Sequence, residues 1–512
     1  MTKTYYELLS EISSDELYEG LVSYGLFAEK IPPVFSSKAF YNYCANNTIS
    51  QNNQSHEYIY FEIIRNTNVP CAMGIPNPFA YNTLCKYISD QWTTKLLPYF
   101  QRKTQEQSHR ISRIHPRKVR DKDGKFTGVL HKMNFKDLYE DGMPEQKMLI
   151  GKRYVVNADI SNCFPSIYTH ALAWALVGKA EAKAHRNDKN AFFNLIDRYS
   201  HNMKHGETDG LLIGPHASNL LAEIILVEID RILFEKNYDF IRHIDDYACY
   251  TDSYETAQNF INDLVTSLRG FDLALNHKKT SITQLPIGLE KKWKRKLFSF
   301  SFPPSGTPVT FPVIRNYLDY AVELAHDSGD WAVLNYAVKV ISGVDNLSRN
   351  AREYIVDTVF SLAILYPYLI PLLDDYIFSI FQVDVKRIEE ICRIIYSDGL
   401  RTRNYEACDY ALFYCVKYEI DLDDIIAPAS DVIATEDCIF MILSALYYKS
   451  TQRDIEFQDL LSHARMINDD KVDFDRYWLF IYEMVDADIL APPWRELKIS
   501  GISFITDEYN VL

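Results

Sequence analysis

The hydrophobic and polar positions before residue 300 follow a mixture of helical and strand patterns. Residues 240–251 form two short apolar segments separated by a polar turn, which is typical of an antiparallel β-hairpin. Residues 125–134 and 153–158 also have strand character, whereas positions 1–100 favour helices. Further segments with helical periodicity lie at 165–177, 189–203, 215–236 and 253–268. The pattern predicts an α+β arrangement for this part of the chain.

The pattern changes after a proline-rich segment. The sequence FPPSGTPVTFP, at 302–312, contains four prolines and cannot continue a helix or a central strand, so we predict a linker at 302–313. Helices in series with little strand signal follow, as in an α-solenoid. We therefore expect residues 314–512 to form an all-α domain of HEAT-like helical repeats. The clearest helical segments lie at 351–365, 385–397, 405–418, 433–448, 455–466 and 473–486.

The net charge of −15, from 54 Lys and Arg against 69 Asp and Glu, is distributed unevenly. Residues 351–512 contain 30 acidic and 14 basic residues, a net charge of −16, whereas residues 1–350 carry +1. Within the first part, residues 95–153 contain 15 basic and 7 acidic residues. A negative total therefore does not argue against a phosphate-bearing partner of the first part, because the acidic excess belongs to the other end of the chain.

Cysteine usage and the apolar segments indicate the compartment. The nine cysteines form no CxxC pair and no Cys/His cluster at zinc spacing, which is typical of reduced thiols in a cytosolic protein. The acidic N-terminal segment lacks the apolar core of a signal peptide. The longest apolar run, at 358–373, contains two prolines and is shorter than the roughly 20 residues of a membrane span. We expect a cytoplasmic protein without a membrane partner.

Two adjacent carboxylates, Asp245 and Asp246, lie at the tip of the predicted hairpin, in the sequence IRHIDDYACY. Their mutual repulsion has an electrostatic cost that a divalent cation would remove. Aspartate is also common in hairpin turns, so these two residues alone fit a turn or a metal site equally well. Asp159, which ends the predicted strand RYVVNAD, favours the metal site, because it adds a third carboxylate at a strand terminus.

Three carboxylates on adjacent strands can hold two Mg²⁺ ions a few ångströms apart, and Mn²⁺ could replace them. One ion lowers the pKa of an attacking hydroxyl, and the other stabilises a leaving pyrophosphate. Mg²⁺ is usually bound by a few carboxylates together with substrate phosphates. The arrangement therefore predicts nucleotidyl transfer.

Four segments, in order along the chain, resemble the conserved motifs of reverse transcriptases. NADISNCFPSIYTH around Asp159 resembles motif A, and HIDDY resembles motif C. GLLIGPHASNLLAEIIL, at 210–226, resembles motif B, and LALNHKKTSI, at 273–282, resembles motif D. The resemblance, contained in residues 153–282, implies fingers and palm subdomains over residues 1–301 and the activity of a nucleotidyltransferase.

Two departures narrow the resemblance. His243 stands where most reverse transcriptases have Tyr, and Leu212-Ile213-Gly214 stands where a Pro-Gln-Gly turn is usual. That Gln normally helps to hold the template–nucleotide pair, so its replacement argues against templated copying. The altered motif B, the IPNPFAY segment at 75–81 and the C-terminal helices are similar to the abortive-infection (Abi) polymerases, best to the prophage-borne group related to AbiK. This resemblance implies a homo-oligomer in bacterial antiphage defence that makes DNA without a template and primes on its own hydroxyl side chain.

The motif match implies a role for each matching residue. Asp159, Asp245 and Asp246 would be the catalytic metal ligands, with the backbone carbonyl of Ile160 completing one site. Phe164 occupies the steric-gate position, where a ring would exclude a ribose 2′-OH; core packing is its alternative role. The remaining assignments are Lys279 as a phosphate contact or general acid, against a solvated lysine, and Gly214 as a point of close backbone approach to the base pair or sugar.

Two basic clusters could contact phosphates. The run RISRIHPRKVRDKDGK, at 110–125, lies where fingers would cover the triphosphate, and Arg113, Arg117, Lys118 and Arg120 are its candidates. EKKWKRK, at 290–296, could bind the growing strand by charge and by stacking on Trp293. For both, a solvated helix or loop face is the alternative.

Three functions remain open from these residues. The first is a template-independent, protein-primed DNA polymerase that uses dNTPs and holds single-stranded DNA as its product; the sequence does not identify the priming residue. The second is an RNA-templated reverse transcriptase with an RNA partner, and the third is an inactive polymerase fold that serves as a scaffold. The acidic C-terminal part would repel a long duplex, which favours the first.

Overall fold

The structure is a computed structural model. It describes residues 4–27, 31–47, 49, 53–65, 69–104, 144–288, 290–304 and 306–512. The predicted strand at 125–134 and the candidate phosphate ligands Arg113, Arg117, Lys118 and Arg120 lie outside the described residues.

The N-terminal part combines helices with a β-hairpin. Positions 1–100 were expected to be mostly helical, but Tyr58–Ile64 and Pro70–Pro76 pair as antiparallel strands. In the first strand, buried Ile59, Phe61 and Ile63 alternate with exposed side chains, and this period of two is the pattern that the prediction missed. The elements are α1 (Tyr5–Ser10), α2 (Ser14–Tyr24), α3 (Lys38–Asn46), β1 (Tyr58–Ile64), β2 (Pro70–Pro76), α4 (Pro78–Asp90) and α5 (Leu97–Thr104), with a π-helical turn at Trp92–Leu96.

The central part contains a four-stranded antiparallel sheet and confirms the predicted mixture of helices and strands. The predicted helix at 165–177 is divided in two, because Ile167 has an extended conformation. The elements are α6 (Pro144–Met148), β3 (Tyr154–Asp159), α7 (Cys163–Ser166), α8 (His170–Val177), α9 (Lys179–Ala184), α10 (Phe192–Asn202), α11 (His216–Glu235), β4 (Asp239–His243), β5 (Asp246–Thr251), α12 (Tyr254–Arg269), β6 (Ser281–Gln284) and α13 (Lys292–Phe298).

The sheet has the strand order β4-β5-β3-β6, and all neighbouring strands are antiparallel. On one face, side chains such as Val156, Phe240 and Cys249 join the main hydrophobic core with helices α11 and α12. On the other face, Val155 and Ile241 belong to a small separate cluster. One face of the sheet is therefore buried under helices, while the other is largely open next to the carboxylates.

The C-terminal part is helical, as the periodicity predicts. Its first helix begins at Phe311, inside the range predicted as a linker, because the first helical turn tolerates Pro312, whose missing N–H would have no partner there. The α-helices are α14 (Phe311–Ser328), α15 (Ala332–Ser342), α16 (Arg349–Leu365), α17 (Ser379–Phe381), α18 (Val385–Thr402), α19 (Tyr405–Tyr418), α20 (Ala429–Ile433), α21 (Cys438–Ser450), α22 (Asp454–Asn468), α23 (Lys471–Arg476), α24 (Trp478–Met484) and α25 (Trp494–Ile499). Shorter 3₁₀ or π turns lie at Pro367–Leu372, Asp374–Phe378 and Asp423–Ile425.

Two of the predicted C-terminal helices are interrupted. The segment predicted at 433–448 starts a new helix at Cys438, because the Asp437 carboxylate accepts hydrogen bonds from the N–H groups of Ile439 and Phe440 and caps that end. The segment predicted at 473–486 is split at Tyr477. Neighbouring helices pack against each other in sequence, but the repeat character of this region stays a prediction.

The C-terminal part packs directly on the N-terminal part. The Phe504 ring contacts Phe27 and Phe40, and the Trp494 ring meets Phe79 edge-on. The N–H of Ile64, at the end of β1, donates a hydrogen bond to a carboxylate of α19. All nine cysteines are free thiols. Among the residues that the structure describes, no helix combines the length and the apolar character that crossing a membrane requires.

Candidate active site

The turn between β4 and β5 carries two of the predicted carboxylates. Ile244 has a φ of +54°, which lets the chain reverse between His243 and Asp246. The backbone carbonyl of Asp245 accepts a hydrogen bond of 3.1 Å from the N–H of Ile160, just beyond the end of β3. The turn is therefore joined to the strand that carries the third carboxylate.

Asp159, the last residue of β3, lies directly opposite Asp246 in the sheet register. Asp159 is 5% exposed, and its carboxyl group contributes to the raised pKa of Asp246. The structure thus brings Asp159, Asp245 and Asp246 together at one end of the sheet, although 86 residues separate the first two in the sequence.

The segment after α12 supplies partners for Asp159. The Asn276 side-chain amide donates to Asp159 Oδ1 at 3.0 Å, and Lys279 Nζ lies 2.8 Å from Asp159 Oδ2. The N–H of Asn276 also donates to the Asp159 carbonyl at 2.8 Å. Lys279 was a predicted site residue, but Asn276 was missed; its place within LALNHKKTSI, three residues before Lys279, was the available signal.

The carboxylates perturb one another. The surrounding protein raises the pKa of Asp246 to about 6 by desolvation, and the neighbouring Asp245 and Asp159 carboxyls add to the shift. Burial, with a contribution from Asp159, also raises the pKa of Asp245. The hydrogen bond to Asp159 raises the pKa of Lys279, so its ammonium stays charged. The site holds several like charges and one opposing cation.

The donor set fits a divalent cation by its chemistry. Oxygen ligands are what Mg²⁺ prefers. Burial, together with repulsion between the carboxyl groups, raises the pKa values of Asp245 and Asp246, and a cation would offset this cost of keeping them charged. Within the described ranges, no three His, Cys, Asp or Glu side chains are already arranged as a metal site. At Asp159, the Lys279 ammonium provides the positive charge instead.

The segment that resembles motif B packs between α7 and the N-terminal hairpin. The N–H of Leu211 donates to the Phe164 carbonyl at 2.8 Å, and the N–H of Gly74 in β2 donates to the Ile213 carbonyl at 2.9 Å. Gly210, which sequence reasoning did not single out, has a φ of +84°, and a Cβ there would lie 2.7 Å from the Pro165 carbonyl oxygen. A residue with a side chain would push this segment away from motif A.

Two predicted residues lie on this segment or against it. Gly214 has a φ of +128°, a backbone conformation that favours glycine. Phe164 is partly buried and packs against the core, so its ring has both a structural contact and an exposed part.

The basic cluster at 290–296 consists of two residues before α13 and the first five residues of that helix. Trp293 is 8% exposed, and its indole N–H donates to Asp330 at 2.9 Å, so the ring is not available to stack on a base. Lys291 pairs with the same Asp330 carboxylate. The cluster forms a helix, as the alternative expected, but Trp293 is buried against the C-terminal region instead of lying on a solvated face.

The open face of the sheet forms a cavity of about 370 Å³ beside the carboxylates. His243, Asp246 and Lys279 line one end, and Ile241 and Tyr250 line the other.

Comparison with known proteins gives one family match. The model of the family described as "Reverse transcriptase (RNA-dependent DNA polymerase)" matches residues 81–302, less than half of the 512 residues. The matched range includes all three carboxylates, Lys279 and the motif B segment. The match supports a reverse transcriptase domain, of the nucleotidyltransferase type, in this part of the chain. No curated protein matches the sequence.

Several solved structures are similar at low identity. The apo telomerase of Candida tropicalis, truncated from its C-terminal domain, is 14% identical, with 49% of this chain and 54% of that chain covered and a TM-score of 0.28. Telomerases of Candida tropicalis and Candida albicans in complex with a telomeric RNA fragment are 12% and 11% identical, with 73% and 72% of this chain and 66% and 67% of theirs covered, and TM-scores of 0.29 and 0.27. The chain thus spans about half to two thirds of the length of these telomerases. Structural similarities at such low identity and TM-score support no argument about activity.

Proposed function

We propose that the protein is a DNA polymerase of the reverse transcriptase fold that copies no template and primes on one of its own hydroxyl side chains. Its proposed role is abortive-infection antiphage defence in the bacterial cytoplasm, as a relative of the Abi polymerases of the AbiK-related group. The observation that carries the proposal is the assembly of Asp159, Asp245, Asp246 and Lys279 inside a reverse transcriptase domain.

The substrates would be dNTPs. The three aspartates, with the backbone carbonyl of Ile160, would hold Mg²⁺ or Mn²⁺. When bound, the metal would lower the pKa of the attacking hydroxyl and neutralise the leaving pyrophosphate. Asn276 orients Asp159 through its amide, and the Lys279 ammonium is charged and close enough to contact the pyrophosphate or give it a proton.

Selection of deoxynucleotides would depend on Phe164 and Gly214. The ring of Phe164 is only partly covered by the core, so its exposed part can oppose a ribose 2′-OH. Gly214 lets the backbone come close to the sugar or the base pair. Arg113, Lys118 and Arg120 are proposed as triphosphate ligands on the sequence alone.

The motif B turn supports synthesis without a template. Ile213, at the position where reverse transcriptases usually have the motif B Gln, is half-buried, and its carbonyl accepts a hydrogen bond of 2.9 Å from the N–H of Gly74 in β2. An apolar side chain at this position presents no amide to hold a template base. The turn therefore packs against β2 and offers no side-chain amide to a template.

The rest of the chain is assigned as an extension of this proposal. Residues 1–301 would form the fingers and palm, 302–313 the linker, and 314–512 an all-α domain of HEAT-like repeats in a homo-oligomer. The acidic charge of residues 351–512 supports a single-stranded DNA product over a long duplex, because it would repel a second strand.

The test is an incorporation assay with purified protein, Mg²⁺ and labelled dNTPs, without template or primer. Label that stays with the protein through denaturing electrophoresis, and is shortened by nuclease, is the expected result. The variant Asp245→Asn/Asp246→Asn is the matched control and should carry no label. Product from that variant would contradict the site assignment.

RNA-templated synthesis is the second candidate, favoured by the description of the matching family as RNA-dependent DNA polymerases. Incorporation that starts only after an RNA template and an annealed primer are added would support it against the first candidate. No incorporation under either condition, with dNTP binding intact, would favour the third candidate, an inactive scaffold.

A further inference from the structure

A buried ionic network lies directly beneath the catalytic turn. Arg242, on β4 three residues before Asp245, has a side chain that is 1% exposed. Its guanidinium donates to Glu223 at 2.8 and 3.1 Å and to Asp230 at 2.8 and 3.0 Å, both on α11. One further N–H, on Nη1, donates to the backbone carbonyl of Ile244 at 2.7 Å. All five N–H groups of the guanidinium therefore have acceptors.

Two tyrosine hydroxyls complete the network. Tyr5 of α1 donates to Glu223 at 3.1 Å, and Tyr247 of β5 donates to Asp230 at 3.0 Å. The network thus connects the N-terminal helix, the long helix α11 and both strands of the catalytic hairpin. Two carboxylates against one guanidinium leave an excess negative charge, which the two hydroxyl donors help to stabilise.

Ile244 has a backbone conformation that requires support. A β-branched residue at a φ of +54° is sterically unfavourable and persists only where its surroundings hold it. The contact from Arg242 fixes the carbonyl of the peptide that leads into Asp245, while the N–H of Ile160 binds the Asp245 carbonyl on its other side. The backbone on both sides of Asp245 is therefore held by hydrogen bonds.

We propose that Arg242 is a positioning residue for the carboxylates of Asp245 and Asp246, acting through the Ile244 carbonyl and anchored by Glu223 and Asp230. The inference rests on the proposed nucleotidyl transfer. A buried ion pair is often no more stabilising than apolar residues of the same volume. Arg242 uses one of its N–H donors to hold the turn that carries Asp245 and Asp246. The network therefore has a role beyond stability, because catalytic groups lose efficiency when they shift by about 1 Å.

The first variant is Arg242→Lys. Lysine keeps the charge but has three donors and no planar fork, so it cannot serve two carboxylates and the Ile244 carbonyl together. Mn²⁺ alone is the probe, and electron paramagnetic resonance of free Mn²⁺ measures its affinity without any turnover. We expect Mn²⁺ affinity to fall about tenfold and kcat to fall on the order of 10²-fold per folded molecule, with a smaller change in KM for dNTP.

Asp374→Asn is the matched control for lost stability. Asp374, in the C-terminal helical part, is buried and accepts from Lys417 and Tyr418, each at 2.6 Å. This variant should unfold at a lower temperature but bind Mn²⁺ and turn over dNTP as the unaltered protein does. A purely structural role for Arg242 would give Arg242→Lys the same behaviour as this control.

Ile244→Gly provides a second test if Arg242→Lys does not fold. Glycine removes the strain at the positive φ and leaves every side chain of the network in place, but it frees the turn. We expect an unchanged or higher melting temperature together with weaker Mn²⁺ binding and lower kcat. Unaltered Mn²⁺ affinity and kcat in Ile244→Gly and in any folded Arg242→Lys would overturn the inference. Weaker Mn²⁺ binding with no dNTP incorporation by the unaltered protein would instead reject the proposed function and keep the positioning role.

Discussion

Carboxylates with perturbed or satisfied surroundings occur at the end of the central sheet and in the C-terminal helical part, and the two sets differ in their partners. In the C-terminal part, Glu483 accepts from the Phe504 N–H at 2.7 Å and the Ser503 hydroxyl at 2.9 Å. Asp374 accepts from an ammonium and a hydroxyl. Each of these carboxylates is neutralised or hydrogen-bonded by neighbouring donors of the same region, as expected for groups that stabilise a fold.

At one end of the central sheet, carboxylates lie close to one another. Asp245 and Asp246 are adjacent, and Asp246 lies opposite Asp159 in the sheet register. Desolvation and mutual repulsion raise the pKa values of Asp245 and Asp246, and among the described residues the Lys279 ammonium at Asp159 offsets this cost only in part. The comparison indicates that Glu483 and Asp374 serve stability, whereas Asp159, Asp245 and Asp246 are available to a ligand, and it can be tested from both sides.

The largest expected effect is the loss of activity in Asp245→Asn/Asp246→Asn. Removing metal ligands should lower incorporation by about 10³-fold or more, since a metal contributes several kcal/mol of transition-state stabilisation. In contrast, the free energy of unfolding in urea with EDTA at pH 7.5 should stay unchanged or rise by about 1 kcal/mol, because repulsion is removed. A large fall in the free energy of unfolding of this variant would show that Asp245 and Asp246 stabilise the fold, as the C-terminal carboxylates do, and would contradict the comparison.

Lys279→Met should lower kcat by about 10²-fold, the usual contribution of a positioned proton donor or phosphate contact. Its side chain is 66% exposed, so the ion pair with Asp159 should contribute little to stability. Lys278→Met, at the exposed neighbouring position, is the control and should keep full kcat. Steady-state kinetics of both variants show whether the charge at position 279 has a specific role in turnover. An equal fall in kcat in Lys279→Met and Lys278→Met would mean that it does not.

Mg²⁺ should stabilise the protein in a pH-dependent way. The pKa of Asp246, raised from 3.8 to about 6 in the folded state, contributes stability that is present below pH 3.8 and lost as pH rises through 6. Because Mg²⁺ competes with this proton, the rise in melting temperature on adding Mg²⁺ should be large at pH 7.5 and small near pH 5. Calorimetry at both pH values measures it. The same Mg²⁺ effect in Asp245→Asn/Asp246→Asn would locate the cation elsewhere.

Asp437→Asn should give the smallest effect. Burial raises the pKa of Asp437 to about 6, although it caps α21. Its stability contribution is therefore also complete below pH 3.8 and lost as pH rises through 6. Asparagine keeps the cap without the charge, so urea unfolding should show a gain of about 1 kcal/mol at pH 7.5 and none near pH 4. This gain should not depend on Mg²⁺, and kcat should not change.

Local patterns accounted for much of the fold. The hairpin at Asp239–Thr251 and most C-terminal helices follow from periodicities of two and of about 3.6 residues, which neighbouring positions determine. The β1–β2 hairpin was missed although Tyr58–Ile64 alternates clearly, because the surrounding segments favour helices. Neither stacking by Trp293 nor a solvated helix face describes the cluster at 290–296, because the packing of α13 buries the indole and directs its N–H at Asp330.

By itself, the sequence determined that carboxylates occupy a hairpin tip and the end of a strand, and that a reverse transcriptase domain precedes a helical region. Those features depend on the order and spacing of neighbouring residues. Only the tertiary structure decided that Lys279 and Asn276 contact Asp159, and that Arg242 joins Glu223, Asp230 and the Ile244 carbonyl. A buried charged group forms hydrogen bonds with the donors that packing places next to it. Packing joins segments that are far apart in the sequence, so their spacing along the chain does not show which donors will lie next to the charge.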